Sequence, residues 1–88
     1  MDSKKAIQNE IDDAIFNFTL GENARAKEQL TQLLSEHPNE KEVLHALAEI
    51  LWSEKDFQSA LEVAEKAYAL DDKDLHIITA LSRIWLQI

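Results

Sequence analysis

Lys41-Glu42-Val43-Leu44-His45-Ala46-Leu47-Ala48-Glu49-Ile50-Leu51-Trp52, followed after a short polar break by Asp56-Phe57-Gln58-Ser59-Ala60-Leu61-Glu62-Val63-Ala64-Glu65-Lys66-Ala67-Tyr68, is the stretch on which the fold turns. Val43, Leu44, Leu47, Ile50 and Leu51 recur at helical spacing, and so do Phe57, Ala60, Leu61, Ala64, Ala67 and Tyr68. The spacing predicts two amphipathic helices, with Ser53-Glu54-Lys55 between them and Asp56 capping the second. Moved forward by thirty-four residues, the first helix lies on a later one: Val43 falls on Ile77, Leu44 on Ile78, Ala46 on Ala80, Leu47 on Leu81, Ile50 on Ile84 and Leu51 on Trp85. Moved back by the same amount, Ala60 falls on Ala26, Ala67 on Leu33, Tyr68 on Leu34 and Asp56 on Glu22. A fixed period of this length marks a stacked helical repeat, which makes an extended binding surface rather than an enclosed site for chemistry.

Outward from the centre the same pattern predicts three more helices. Ile7, Ile11, Ala14, Ile15 and Phe18 share a helical stripe that Leu20-Gly21-Glu22-Asn23 breaks, Gly21 being suited to the left-handed position that ends a helix. Ala26, Leu30, Leu33 and Leu34 make a second stripe, stopped at His37-Pro38. Asn39 with Glu42 three residues on reads as a cap for the helix that follows. After Asp71-Asp72-Lys73-Asp74, a fifth helix carries Ile77, Ile78, Leu81, Ile84, Trp85 and Ile88. No β-type alternation competes with these periods.

Helix-turn-helix units of thirty-four residues with this order of large and small residues resemble tetratricopeptide repeats. The best unit runs Leu44, Leu47, Ala48, Leu51, then Asp56, Phe57, Ala60, Ala64, Ala67 and Leu70. It departs from the family pattern at Lys55, where Gly is usual, and at Asp72, where Pro is usual. The first unit keeps Gly21, Ala26 and Pro38, but its leading helix fits best as Ile11, Ala14, Ile15 and Phe18, one residue out of register, which implies a turn shortened by one. The last unit supplies a leading helix only: Ile78, Leu81, Ser82 and Trp85. The resemblance implies an all-α chain of five helices in a right-handed superhelix of antiparallel pairs. It implies one domain over residues 1–88, with repeat one at about 7–40, repeat two at about 41–74 and a half repeat at 75–88.

The ends of such a stack carry information. On the shifted register, Glu10 and Asn17 occupy the places of Val43 and Ile50, so the amino end is expected to be a finished polar cap. At the other end, Ile78, Leu81 and Trp85 sit where a second helix of the third unit would pack. Burying each would stabilise by roughly 1.5–3 kcal/mol, so this open face is expected to be covered by a second copy, a different protein or a following segment.

Composition narrows the function classes. Seventeen acidic against nine basic side chains leave a formal charge of -8, which repels phosphate backbones and anionic membrane surfaces, so neither nucleic acid nor membrane is expected as partner. The 45% apolar content, with one Gly and one Pro, suits a compact helical domain. With no cysteine there is no disulfide framework and no thiolate metal site. Met1-Asp2-Ser3-Lys4-Lys5 does not read as a signal peptide, and no stretch approaches the roughly 20 apolar residues of a membrane span, so a cytoplasmic protein is expected.

No nucleophile constellation, glycine-rich phosphate loop or paired metal motif is present, and the chain reads as non-enzymatic and cofactor-free. Glu42, His45 and Glu49, with His76 and Arg83 beside them, are the nearest approach to a divalent-ion site; they read instead as a solvated charged face with local pairing. The family resemblance implies that the leading helices line a concave surface. By matching positions it places there Asp12, Asp13 and Phe16, then Glu42, His45, Glu49 and Trp52, then His76, Thr79, Arg83 and Gln87. Exposed Phe16 and Trp52 would anchor apolar side chains of a bound peptide or helix, and the carboxylates would favour a basic partner. The family's clamps for acidic chaperone tails use basic grooves, so the acidic groove expected here disfavours that role. The sequence is thus read as a scaffold or chaperone-like adaptor holding a partner on its concave or open carboxyl-terminal face. The alternative is a structural protein that forms a homo-oligomer through its last helix.

Overall fold

The computed structural model describes residues 3–88; Met1 and Asp2, part of the segment read above as lacking signal-peptide character, lie outside the described residues. The chain forms five α-helices and no strand among the described residues: α1 (Ser3–Thr19), α2 (Asn23–Glu36), α3 (Lys41–Ser53), α4 (Phe57–Leu70) and α5 (Leu75–Gln87). No helix is long and apolar enough to cross a membrane among them. The boundaries recur: α1, α3 and α5 end at Thr19, Ser53 and Gln87, while α2 and α4 run from Asn23 and Phe57 to Glu36 and Leu70, each thirty-four residues on from its counterpart.

Each helix packs on the next, α1 on α2, α2 on α3, α3 on α4 and α4 on α5. The leading helices also touch across units, α1 with α3 and α3 with α5, whereas α2 and α4 do not approach one another. Alanine makes the close packing within pairs possible: Ala14, Ala26, Ala48, Ala60, Ala64 and Ala67 are all buried. Around them Leu30, Leu33, Val43, Leu47, Ile50 and Ile84 fill the main core, and Leu44, Ala67 and Ile77 form a smaller cluster where α3, α4 and α5 meet. A radius of gyration of 12.3 Å is what a close-packed chain of this length should have.

The turns inside the two pairs are built alike, and they correct the register expected for α1. Gly21 N–H donates to Phe18 O and Glu22 N–H to Asn17 O; Lys55 N–H donates to Trp52 O and Asp56 N–H to Leu51 O. Both sets make a Schellman closure around one left-handed residue, Gly21 with φ 86° and Lys55 with φ 65°. The first turn is therefore not shortened, and α1 keeps the unshifted offset. Asn17 corresponds to Leu51, and it is buried like Leu51 rather than solvated at an open end. Its Nδ2 donates to Gln29 Oε1 at 2.7 Å on α2, a hydrogen bond in place of an apolar contact.

Two further expectations give way. The amino-terminal cap of α3 is Glu40, without a side-chain bond, rather than Asn39, which lies in the preceding turn. Tyr68 is exposed rather than buried, because at helical spacing it falls at the edge of the α4 stripe that Ala60, Ala64 and Ala67 define. Asp56 caps α4 as expected, accepting from Ser59 N–H, and Asp74 does the same for α5 through His76 N–H.

A non-glycine residue in the left-handed region costs about 1–2 kcal/mol relative to the ordinary helical one. The Lys55→Gly variant should therefore gain about 0.5–1 kcal/mol after the extra freedom of the unfolded glycine is subtracted. Urea unfolding checks this, and a loss of stability would mean that the Lys55 side chain supplies a contact that outweighs its strain.

Polar clasps join the units at their edges. Lys27 Nζ meets Glu54 Oε1 at 2.7 Å, and Lys41 Nζ meets both Asp71 and, at 2.9 Å, Asp74. The hydrogen bonds from Lys41 hold both aspartates below the ordinary carboxylate range and raise Lys41 above its ordinary value. Because the folded aspartate values lie below the unfolded ones, the contribution is present at neutral pH and is lost as pH falls from about 4 through the folded values. Lys41, raised, loses its share only in strong alkali. The wild type should thus melt above a Lys41→Gln variant at pH 7, with the two converging towards pH 2. A gap that stays constant across that range would remove the clasp as its cause.

Candidate functional site

Gln8, Ile11, Ile15 and Phe18 stand three, four and three residues apart, which puts them on one side of α1, facing α3. With Glu42, His45, Ala46, Glu49 and Ile50 of α3 they enclose a cleft of about 320 Å³. Ile11, Ala46 and Ile50 are buried at its floor, Phe18 is half-buried, and Ile15 stands 42% exposed in its wall. Gln8, Glu42, His45 and Glu49 form the polar lip. The larger hollow of about 580 Å³ at the amino end is lined by Asp13, Asn17, Arg25, Glu28, Gln29 and Gln32 and has no comparable apolar floor. An apolar floor with a few convergent polar groups is the arrangement that binds, because water leaves it cheaply while the lip sets orientation.

The lip continues onto α5. Arg83 Nη2 donates to Glu49 Oε1 at 2.7 Å, and His45 Nε2 lies 3.5 Å from the same oxygen. His45 is the larger influence holding Glu49 below the ordinary carboxylate range, and the Arg83 charge adds to it, against partial burial, which pushes the other way. The Arg83 guanidinium sits 5.2 Å from the centre of the Trp52 ring, and Phe57 meets the same indole edge-on with centroids 6.5 Å apart. The rings of His45 and His76 lie 6.4 Å apart. The chain thus gathers His45, Glu49, Trp52, His76 and Arg83 from α3 and α5 into one connected group.

Several site residues expected from the sequence lie elsewhere than expected. Trp52 is half-buried between Phe57 and Arg83, with its indole N–H buried and unpartnered, so it is a packed edge rather than an exposed anchor. Asp13 turns to α2, where its carboxylate accepts from Gln29 Nε2 at 2.8 Å. Phe16 is exposed, and it does not line the cleft. Asp12 stays beside the lip, accepting from Gln8 Nε2 at 2.9 Å. The Thr79 hydroxyl is directed to its own backbone, donating to Leu75 O at 2.7 Å, and Gln87 is exposed at the end of α5.

Among the described residues no group of three His, Cys, Asp or Glu side chains converges as metal ligands would, and Glu49, central to the Glu42, His45 and Glu49 set, is already engaged by Arg83. No protein-family model matches the chain, and no curated protein matches it significantly. The arrangement above is therefore read on its own physical terms.

Ile11, Ile15 and Phe18, which sequence reading assigned to the core stripe, are the principal apolar members of the cleft. Their signal was present: at the unshifted offset they fall on His45, Glu49 and Trp52. At the other end, Ile78 and Trp85 are exposed and Leu81 is half-buried against the core, while Leu75 and Leu86 extend the exposed apolar surface beyond the three residues expected.

Proposed function

We propose that the chain is a non-catalytic protein-interaction module of tetratricopeptide-like architecture, holding a helix or extended segment of a basic, apolar partner in the cleft between α1 and α3. The observation that carries this reading is the pairing of an apolar floor, Ile11, Ala46 and Ile50, with a lip bearing Glu42 and Glu49 on a chain of charge -8. The recurrent helix ends, and the contact of α1, α3 and α5 while α2 and α4 stay apart, support a right-handed superhelix with the leading helices on its inner side. Arg83 screens one carboxylate, which leaves Glu42 and Asp12 as the freer charges for a lysine or arginine of the partner.

The test uses two synthetic amphipathic peptides with the same leucine stripe, one flanked by lysines and one by glutamates, titrated by fluorescence anisotropy. The lysine peptide should bind and weaken with salt, and shift the amide resonances of Ile11, Ile15 and Ala46; the glutamate peptide should not bind. Equal binding of both peptides, or shifts confined to residues outside the cleft, would overturn the proposal.

A further inference from the structure

Among the described residues nothing packs on the outer side of α5. Leu75 is 74% exposed, Ile78 36%, Trp85 57% and Leu86 83%, and their spacing gathers them on one side of the helix with Ser82 among them. Thirty-four residues earlier the corresponding side of α3 carries Leu44, Ala48 and Leu51, all buried, with Leu44 in one cluster with Ala67 of α4. The side of α3 that receives an antiparallel helix is thus repeated on α5 without its helix. At roughly 200 Å² of surface for a large side chain, the exposed fractions leave on the order of 500 Å² of apolar surface, the size of a functional patch. That is of the same order as the about 800 Å² per partner in a standard interface.

We propose that this face is covered by α5 of a second copy of the chain, in an antiparallel pair about a two-fold axis that passes near Ser82. A two-fold perpendicular to a helix makes the helix its own antiparallel neighbour, the relation in which α3 receives α4. Ser82 holds the place of Ala48, so the smallest residue on the face stands where two helices approach most closely, with Trp85 of each copy beside Ile78 of the other. The opposed helix dipoles add to the fit.

Charge selects the same occupant. In a chain of formal charge -8, α5 is the helix without Asp or Glu, and Arg83 on its inner side is bound to Glu49. Two copies meet there without bringing helix carboxylates together. Head-to-tail stacking is disfavoured, because the hollows at the amino end are lined by Glu10, Asp13, Glu28 and Glu36 against the cation Arg25, and Arg83 of α5 is already paired with Glu49. The assembly therefore closes at two copies.

Sedimentation equilibrium of the chain over a wide concentration range tests this, with circular dichroism to confirm that each variant stays helical. The wild type should approach twice the monomer mass and no more. Trp85→Asp and Leu86→Lys, both at exposed positions, should weaken the dimer at least about ten-fold. In a protein without native cysteine, oxidised Ser82→Cys should cross-link to a dimer, because the two-fold brings the two positions together, while Gln32→Cys at the polar end should not. A wild type that stays monomeric, a mass that grows beyond the dimer, or two face variants that associate as the wild type does would each overturn the proposal. Peptide binding in the α1–α3 cleft is read separately and should survive Trp85→Asp.

Discussion

Leu30→Ala is expected to remove about 3–5 kcal/mol of stability, read as a lower urea midpoint with an unchanged slope. Leu30 is fully buried on α2 within the main cluster, and it lines none of the hollows described above, so its neighbours have nothing to collapse into and the cavity term is added in full. For a chain of 88 residues, whose total stability should be of order 4–13 kcal/mol, that loss approaches the whole. Ile50→Ala is the informative comparison. Ile50 is as well buried, but it borders the α1–α3 cleft, where Ile15 and Phe18 have room to settle, so its cost should fall nearer about 2 kcal/mol. A Leu30→Ala loss below about 1 kcal/mol would mean that the pair formed by α1 and α2 is loosely packed, in conflict with the closed alanine seam.

Size and period made the helices legible. Ala60 is buried because α3 and α4 need small residues to approach, and that need is visible as its match to Ala26 one unit away. Backbone demands were legible in part. Gly21 marks its left-handed position openly, whereas Lys55 occupies the same position without glycine, and only the Schellman hydrogen bonds establish that the two turns are equivalent.

Hydrophobicity alone is a poor guide to the register of α1, because a polar residue, Asn17, is buried on it. Sliding the helix by one aligned Ile11 and Ala14 with Leu44 and Leu47, at the cost of treating Asn17 as solvated; in the fold a polar pair, Asn17 with Gln29, stands where an apolar contact would stand in the next unit. That single slip displaced the site. It sent Phe16 to the concave side, and it left Ile15, which stands exposed in the cleft wall, on the core stripe beside the buried Ile11. Trp52 was misplaced for a different reason. Its cover comes from Phe57 across the turn and from Arg83 a whole unit away, contacts that no helical period reveals.

Ile15→Glu should weaken binding of the lysine-flanked peptide by roughly 10–100-fold while leaving the fold intact. The size follows from burial: covering an isoleucine side chain is worth roughly 1.5–3 kcal/mol, and each 1.4 kcal/mol is about ten-fold in affinity. Ile15 is 42% exposed in the free protein, so part of that burial is already made and the lower half of the range is expected from packing alone. The introduced carboxylate acts in two directions. Placed in an apolar wall it must be desolvated when the peptide docks, which weakens binding, yet it also adds a charge attractive to lysine. Salt separates the two contributions, since desolvation of a covered carboxylate is little screened while attraction between exposed groups is. At high salt the variant should therefore fall further behind the wild type, and Ile15→Ser, which removes the side chain without adding charge, should lose affinity by a factor that does not depend on salt. Helicity and urea midpoint should change little, because the replaced side chain is already in contact with water. If Ile15→Glu bound the peptide as tightly as the wild type at both low and high salt, the cleft between α1 and α3 would not be where the partner sits.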